Sequence, residues 1–90
     1  MEFNYSDDRI FLLNDKNETI AEVTFPQTDE NTVTIDHTYV NSSLRGQGVA
    51  SKLLYSAAEY LRSNNKKVIP TCSYAVEWFK KHKEYSDILK

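Results

Sequence analysis

Only two glycines occur in the chain, and they flank a single residue within Arg45-Gly46-Gln47-Gly48-Val49-Ala50. From there Ala50, Leu53, Leu54, Ala57, Ala58 and Leu61 recur at three- and four-residue spacing, so a helix opens at the second glycine. A helix start leaves about four backbone N–H groups without intrahelical partners, and the aligned peptide dipoles make that end positive. Glycine lets a ligand approach the backbone with no Cβ in the way. The combination predicts an anion site, most often for a phosphate or pyrophosphate. Glycines at a helix start can also serve packing alone, and these residues by themselves leave that alternative open. The segment is no P-loop, because no Gly-Lys-Ser/Thr follows, although Ser51-Lys52 comes near. It also lacks the third glycine and the preceding parallel strand of the dinucleotide pattern.

Other side chains could do chemistry. Cys72 is the one cysteine. Its thiolate would be a nucleophile if the pKa fell from the ordinary value of about 8.5; otherwise it is a small apolar residue in the core. His37 could act as a general base, its ordinary pKa lying near 6.5, or be a satisfied histidine beside Val33, Ile35 and Tyr39. Tyr74 could face a ligand from the start of a second helix or simply pack. Arg45 could reach a phosphate with its guanidinium. Lys80, Lys81, His82 and Lys83 form a basic run that suits a solvated helix end. Asp7-Asp8 and Asp29-Glu30 fit solvated turns. No His/Asp/Glu grouping has ligand spacing, so no metal is expected.

The elements that must position these groups follow from pattern. Arg9–Leu13 is a short apolar run ended by the turn formers Asn14-Asp15-Lys16-Asn17. In Thr19–Phe25, Ala21, Val23 and Phe25 alternate with polar neighbours, which predicts the second strand of a hairpin. Pro26 ends it, and Gln27–Asn31 is expected to be a polar loop. Thr32–Val40 is rich in β-branched residues, with Val33, Ile35, His37 and Tyr39 on one face, and predicts a third, central antiparallel strand. The helix from Gly48 closes at Ser63-Asn64-Asn65, Lys67–Pro70 gives a fourth strand, and Tyr74–His82 a second helix, with Glu84–Leu89 a tail packed back. Strand, long helix, strand implies a parallel crossover. The expected class is α+β, in the order βββαβα, with a mixed sheet of about four strands and two helices in one domain, residues 1–90.

Composition narrows the function. The chain has 90 residues, 40% hydrophobic and 27% charged, with a formal charge of −2. That is globular and shows no concentrated basic face for nucleic acid. A lone cysteine and the absence of a signal peptide fit the cytoplasm, and no apolar run approaches the ~18–20 residues that span a bilayer. Nothing suggests a coiled coil, so a monomer is expected.

Arg45-Gly46-Gln47-Gly48-Val49-Ala50 resembles the Arg/Gln-x-x-Gly-x-Gly/Ala signature of the GCN5-related N-acetyltransferases, and it sits between strand and helix as that family requires. His37-Thr38-Tyr39-Val40, Val68-Ile69-Pro70-Thr71-Cys72 and Lys80-Lys81-His82-Lys83-Glu84-Tyr85 are similar to segments of the family's small single-domain branch, so the resemblance spans essentially the whole chain. It implies a minimal acyl-CoA N-acyltransferase-like fold and acetyl-CoA as cosubstrate. The backbone of Arg45, Gly46, Gln47, Gly48, Val49, Ala50 and Ser51 would then hold the pyrophosphate. The pantetheine arm would lie where the fourth strand splays from the third. Peptide N–H groups near Tyr39 and Val40 would polarise the thioester carbonyl, with Tyr74 facing the cofactor. Cys72 and His37 are the implied catalytic residues. The acceptor would be an amine, a protein lysine or small molecule, attacking directly or after transfer to Cys72. A non-catalytic acyl-CoA-binding or sensing module is the rival reading, and a phosphate-ligand protein unrelated to CoA a third.

Overall fold

The structure, a computed structural model, describes residues 2–90. A two-residue edge strand, β1 (Asn4–Tyr5), pairs with β2 (Arg9–Leu13), which turns into β3 (Thr19–Thr24). The turn is held by Asn14, whose Oδ1 accepts from the amides of Lys16 and Glu18, and by Asn17 at φ 62°. Ile10, Ala21, Val23 and Phe25 are fully buried, as the alternation requires.

Gln27–Asn31 is not simply a loop. It contains a short edge strand, β4 (Gln27–Asp29), antiparallel to β5 (Thr32–Ile35). The third strand expected over Thr32–Val40 is two strands, because β6 (His37–Val40) joins a different sheet from β5. One sheet has the order β1-β2-β3-β6, and the other β4-β5-β7, where β7 is Lys67–Pro70. Two sheets therefore replace the single sheet expected. The parallel crossover is present, from β5 through α1 (Val49–Ser63) to β7.

The cause of the split is one residue. Asp36 and His37 both lie opposite Thr24, the Asp36 amide donating to the Thr24 carbonyl at 3.4 Å. An extra residue on one strand shifts side-chain parity. Val33 and Ile35 are buried, but beyond the bulge His37 and Tyr39 face solvent, while Thr38 and Val40 turn inward. His37 and Tyr39 therefore do not share the core face of Val33 and Ile35.

Helix α1 lays Leu53, Leu54, Ala57, Ala58 and Leu61 on the sheets, all buried. Truncating any of these leucines to Ala would cost about 2–5 kcal/mol. Helix α2 (Ser73–Lys81) adds Ala75, Trp78 and Phe79, and a 3-10 segment, Lys83–Ile88, folds the tail back through Tyr85 and Ile88.

Candidate active site

Beyond Ile35 and Pro70 the paired strands part. The β5–β7 ladder ends where the amides of Thr71 and Cys72 both reach the Ile35 carbonyl, at 2.9 and 3.2 Å. The next amide in line, that of His37, is turned towards Thr24 by the bulge.

The edge left open on β6 can be assigned. The Phe25 amide donates to Asp8 and the Asn41 amide to Ile20, so odd-numbered residues of β3 serve β2 and even-numbered ones serve β6. By antiparallel alternation His37 and Tyr39 spend their peptide groups on β3, which leaves those of Thr38 and Val40 facing the gap. The Tyr39 peptide group is thus occupied by the sheet, and its hydroxyl accepts from Asn41 Nδ2 at 3.2 Å.

Past Val40 the Asn41 carboxamide accepts from the Ser43 amide and starts a 3-10 turn, Ser42–Leu44. Gly46 and Gly48 then take φ values of +81° and +69°, a region that disfavours side chains. A Cβ at either would meet nothing within 4 Å, so open space lies over both. Gly48 is the N-cap of α1, no side chain caps the helix, and its first turn holds no acidic residue. Among the described residues, no partner reaches the amides of Gly46 through Ser51. Six peptide donors are therefore without a partner here, and five of the residues that carry them, Gly46, Gly48, Val49, Ala50 and Ser51, line a concavity of about 260 Å³ together with Val40, Leu44, Arg45 and Tyr74. Tyr74 comes from α2 and is 41% exposed. Burial pushes its hydroxyl pKa up, with the Ser51 hydroxyl pulling the other way. Ser51 also accepts from the Trp78 indole at 3.0 Å, joining the two helices at this point.

Eight of the ten residues expected to bind cofactor line this one concavity. Gln47 and Tyr39 do not, and Leu44 joins it. An apolar residue just before a glycine-flanked helix start is the only sequence signal for Leu44.

Cys72 sits at the apex of the gap, half-buried. Its Sγ accepts from the Ala75 amide at 3.4 Å, which makes it the N-cap of α2, and lies 3.5 Å from the Thr38 hydroxyl. His37 lies elsewhere. Its Nε2 is 3.8 Å from Glu22 Oε2 on the outer face, and Glu22 is itself bonded to Arg9 at 2.8 Å. The structure therefore brings Cys72 together with Thr38, not with His37. His82 stacks on Trp78 with centroids 4.1 Å apart, and its Nδ1 is 2.8 Å from the Trp78 carbonyl. Among the described residues no group of three His, Cys, Asp or Glu side chains could hold a metal, and no helix is long and apolar enough to cross a membrane.

Known proteins share this fold. Residues 9–88 match the family described as GCN5-related N-acetyl-transferase. A GCN5-like protein of Staphylococcus aureus, solved by NMR, is 37% identical over 99% of this chain and 87% of its own, with a TM-score of 0.82. A GNAT family N-acetyltransferase of Escherichia coli, solved in complex with CoA, shares the fold at 19% identity, with a TM-score of 0.64 over 86% of this chain and 43% of that one. Tetrahymena GCN5 does so at 17% identity and TM-score 0.64, over 81% of this chain and 48% of its own. The chain belongs to the GCN5-related N-acetyltransferase family. It is a small member, built as an α+β fold of one antiparallel and one mixed sheet with two main helices.

Proposed function

We propose that the chain binds acetyl-CoA and transfers its acetyl group to an amine. The observation that carries this is the uncapped start of α1, with six unpartnered amides and open space over its two glycines, adjoining an unpaired strand edge. The amides of Gly46–Ser51 would hold the pyrophosphate, where the helix dipole adds to their hydrogen bonds. Val40 and Leu44 would pack the pantetheine arm. The free peptide groups of Thr38 and Val40 would bond its amides and polarise the acetyl carbonyl. The acceptor nitrogen attacks the carbonyl carbon, the C–S bond breaks, CoA leaves as its thiol and the amine loses a proton. His37, held by Glu22 on the outer face, could take that proton only from an amine arriving on that side.

The test is acetyl-CoA titration followed by amide shifts. The largest should fall across Gly46–Ser51, with smaller ones at Thr38 and Val40. If saturating acetyl-CoA leaves Gly46–Ser51 unmoved, the reading is wrong; binding without CoA release across a panel of amines would leave a sensing module.

A covalent route through Cys72 has one observation in its favour, since a helix N-terminus stabilises a thiolate. Direct transfer predicts that Cys72→Ala, with acetyl-CoA affinity unchanged, loses less than about tenfold in rate, or ~1.4 kcal/mol. A loss near a thousandfold, with acetyl-Cys72 trapped in the absence of acceptor, would favour the covalent route.

A further inference from the structure

A second concavity, of about 470 Å³, lies away from the proposed cofactor site, along the outward surface of α1. Four tyrosines, Tyr5, Tyr55, Tyr60 and Tyr85, line it together with Glu59. Tyr5 and Tyr60 approach to 5.6 Å between centroids, and Tyr55 and Tyr85 to 5.9 Å. Tyr5 and Tyr55 nevertheless remain 52% and 39% exposed. Aromatic faces carry negative potential and attract cations. The cluster already seats one, because Arg62 Cζ lies 4.6 Å over the Tyr85 ring. Glu59 adds a full charge. Its Oε2 accepts from the Tyr85 hydroxyl at 2.6 Å and from Arg62 Nη1 at 3.5 Å, while its Oε1 has no partner among the described residues.

We propose that this groove docks a lysine side chain of a partner polypeptide, its ammonium on Glu59 Oε1 and its alkyl stem between the tyrosine rings. The single free carboxylate oxygen selects an ammonium over a guanidinium, which is bound best by two oxygens at once. The groove is open along its length, whereas small-molecule sites enclose most of their ligand. An extended chain suits that shape. The inference stands apart from acetyl transfer, since it needs neither acetyl-CoA nor the α1 start.

The test uses the full chain, isotope-labelled, without acetyl-CoA. It is titrated with a short lysine-containing peptide, the same peptide with norleucine for lysine, the same with arginine, and free butylamine. The lysine peptide should shift the amides of Ser56, Glu59, Tyr60 and Ser63, and the norleucine peptide should not. Glu59→Gln keeps a carbonyl for the Tyr85 hydroxyl and removes the charge, and should weaken lysine-peptide binding about fivefold or more. Tyr5→Ala, at an exposed edge, should weaken it less. Equal binding of the norleucine peptide would make the groove merely apolar and overturn the proposal. Tighter binding of the arginine peptide, or butylamine binding as tightly as the lysine peptide, would overturn the assigned occupant. Shifts confined to other surfaces, or none, would overturn it outright.

Discussion

The two ends of α1 are built on opposite principles. At its start Gly48 supplies no cap, and the amides from Gly46 to Ser51 have no partner among the described residues. At its finish nearly every group is satisfied. The Asn64 amide and side chain both return to the Tyr60 carbonyl, and the Lys66 amide reaches Leu61. Arg62 is gripped by Asp87 through Nε at 3.1 Å and by the Glu84 carbonyl at 2.7 Å. Each end also turns the chain through positive φ, with Gly48 at +69° and Asn65 at +57°. One helix thus has an end whose groups are spent on the fold and an end whose peptide donors are left without partners. Changes at the finish should register in stability, and changes at the start in binding.

The sharpest way to break that contrast is Gly48→Asp. Aspartate is among the few residues that tolerate the left-handed region, at a cost of about 1 kcal/mol, and a negative charge here gains roughly 0.3–1 kcal/mol from the dipole. The melting temperature should hardly move. The carboxylate would nevertheless occupy the open space and repel a pyrophosphate, so acetyl-CoA affinity should fall about a hundredfold or more, some 2.7 kcal/mol. Retained affinity, measured by calorimetry, would remove the α1 start from the binding site.

Asn65→Val is the mirror experiment. A β-branched residue at φ +57° is strained, which should cost about 1–2 kcal/mol and lower the melting temperature by roughly 4–16 °C for a chain of this size. Asn65→Gly should raise it slightly. Neither should alter acetyl-CoA affinity by more than about twofold, and a larger change would mean that the two ends are coupled.

How much of this was legible in the sequence varied with the physics involved. The apolar stripe of α1 and the paired glycines could be read because periodicity and the lack of a Cβ are local properties. The bulge could not. From Thr32 to Val40 polar and apolar residues alternate without interruption. Only the pairing of β6 with β3 rather than β7 shows that Asp36 is the extra residue, and this single residue sends His37 and Tyr39 to solvent and Thr38 towards Cys72. Edge strands β1 and β4 carry too few apolar residues to announce themselves. Cysteine is not among the preferred N-caps, so the role of Cys72 at α2 was hidden as well. The tyrosine groove joins residues from β1, α1 and the tail, a union that only the tertiary fold creates.

The smallest predicted effect tests whether the closed end of α1 depends on the charge state of one phenol. The Tyr85 hydroxyl donates to Glu59 at 2.6 Å, and its pKa is pushed up to about 12, chiefly by that bond and then by burial. An unfolded tyrosine ionises near 10. Folding therefore favours the protonated phenol, so its contribution to stability is complete below about pH 10 and is lost as pH rises towards 12. Lysines lose charge in the same window, and Glu84 and Arg62 also act on Tyr85, so total stability will fall for several reasons. Comparing the wild type with Tyr85→Phe isolates the phenol. The stability advantage of the wild type in urea melts should be constant from about pH 7 to 9 and shrink by about pH 11. The ultraviolet phenolate signal should show one of the six tyrosines ionising after the rest. Glu59→Gln should advance that last step by removing the acceptor charge. An advantage that stays flat to pH 11, or a Tyr85 that titrates with the exposed tyrosines, would show that the Tyr85–Glu59 bond does not close this end of the helix.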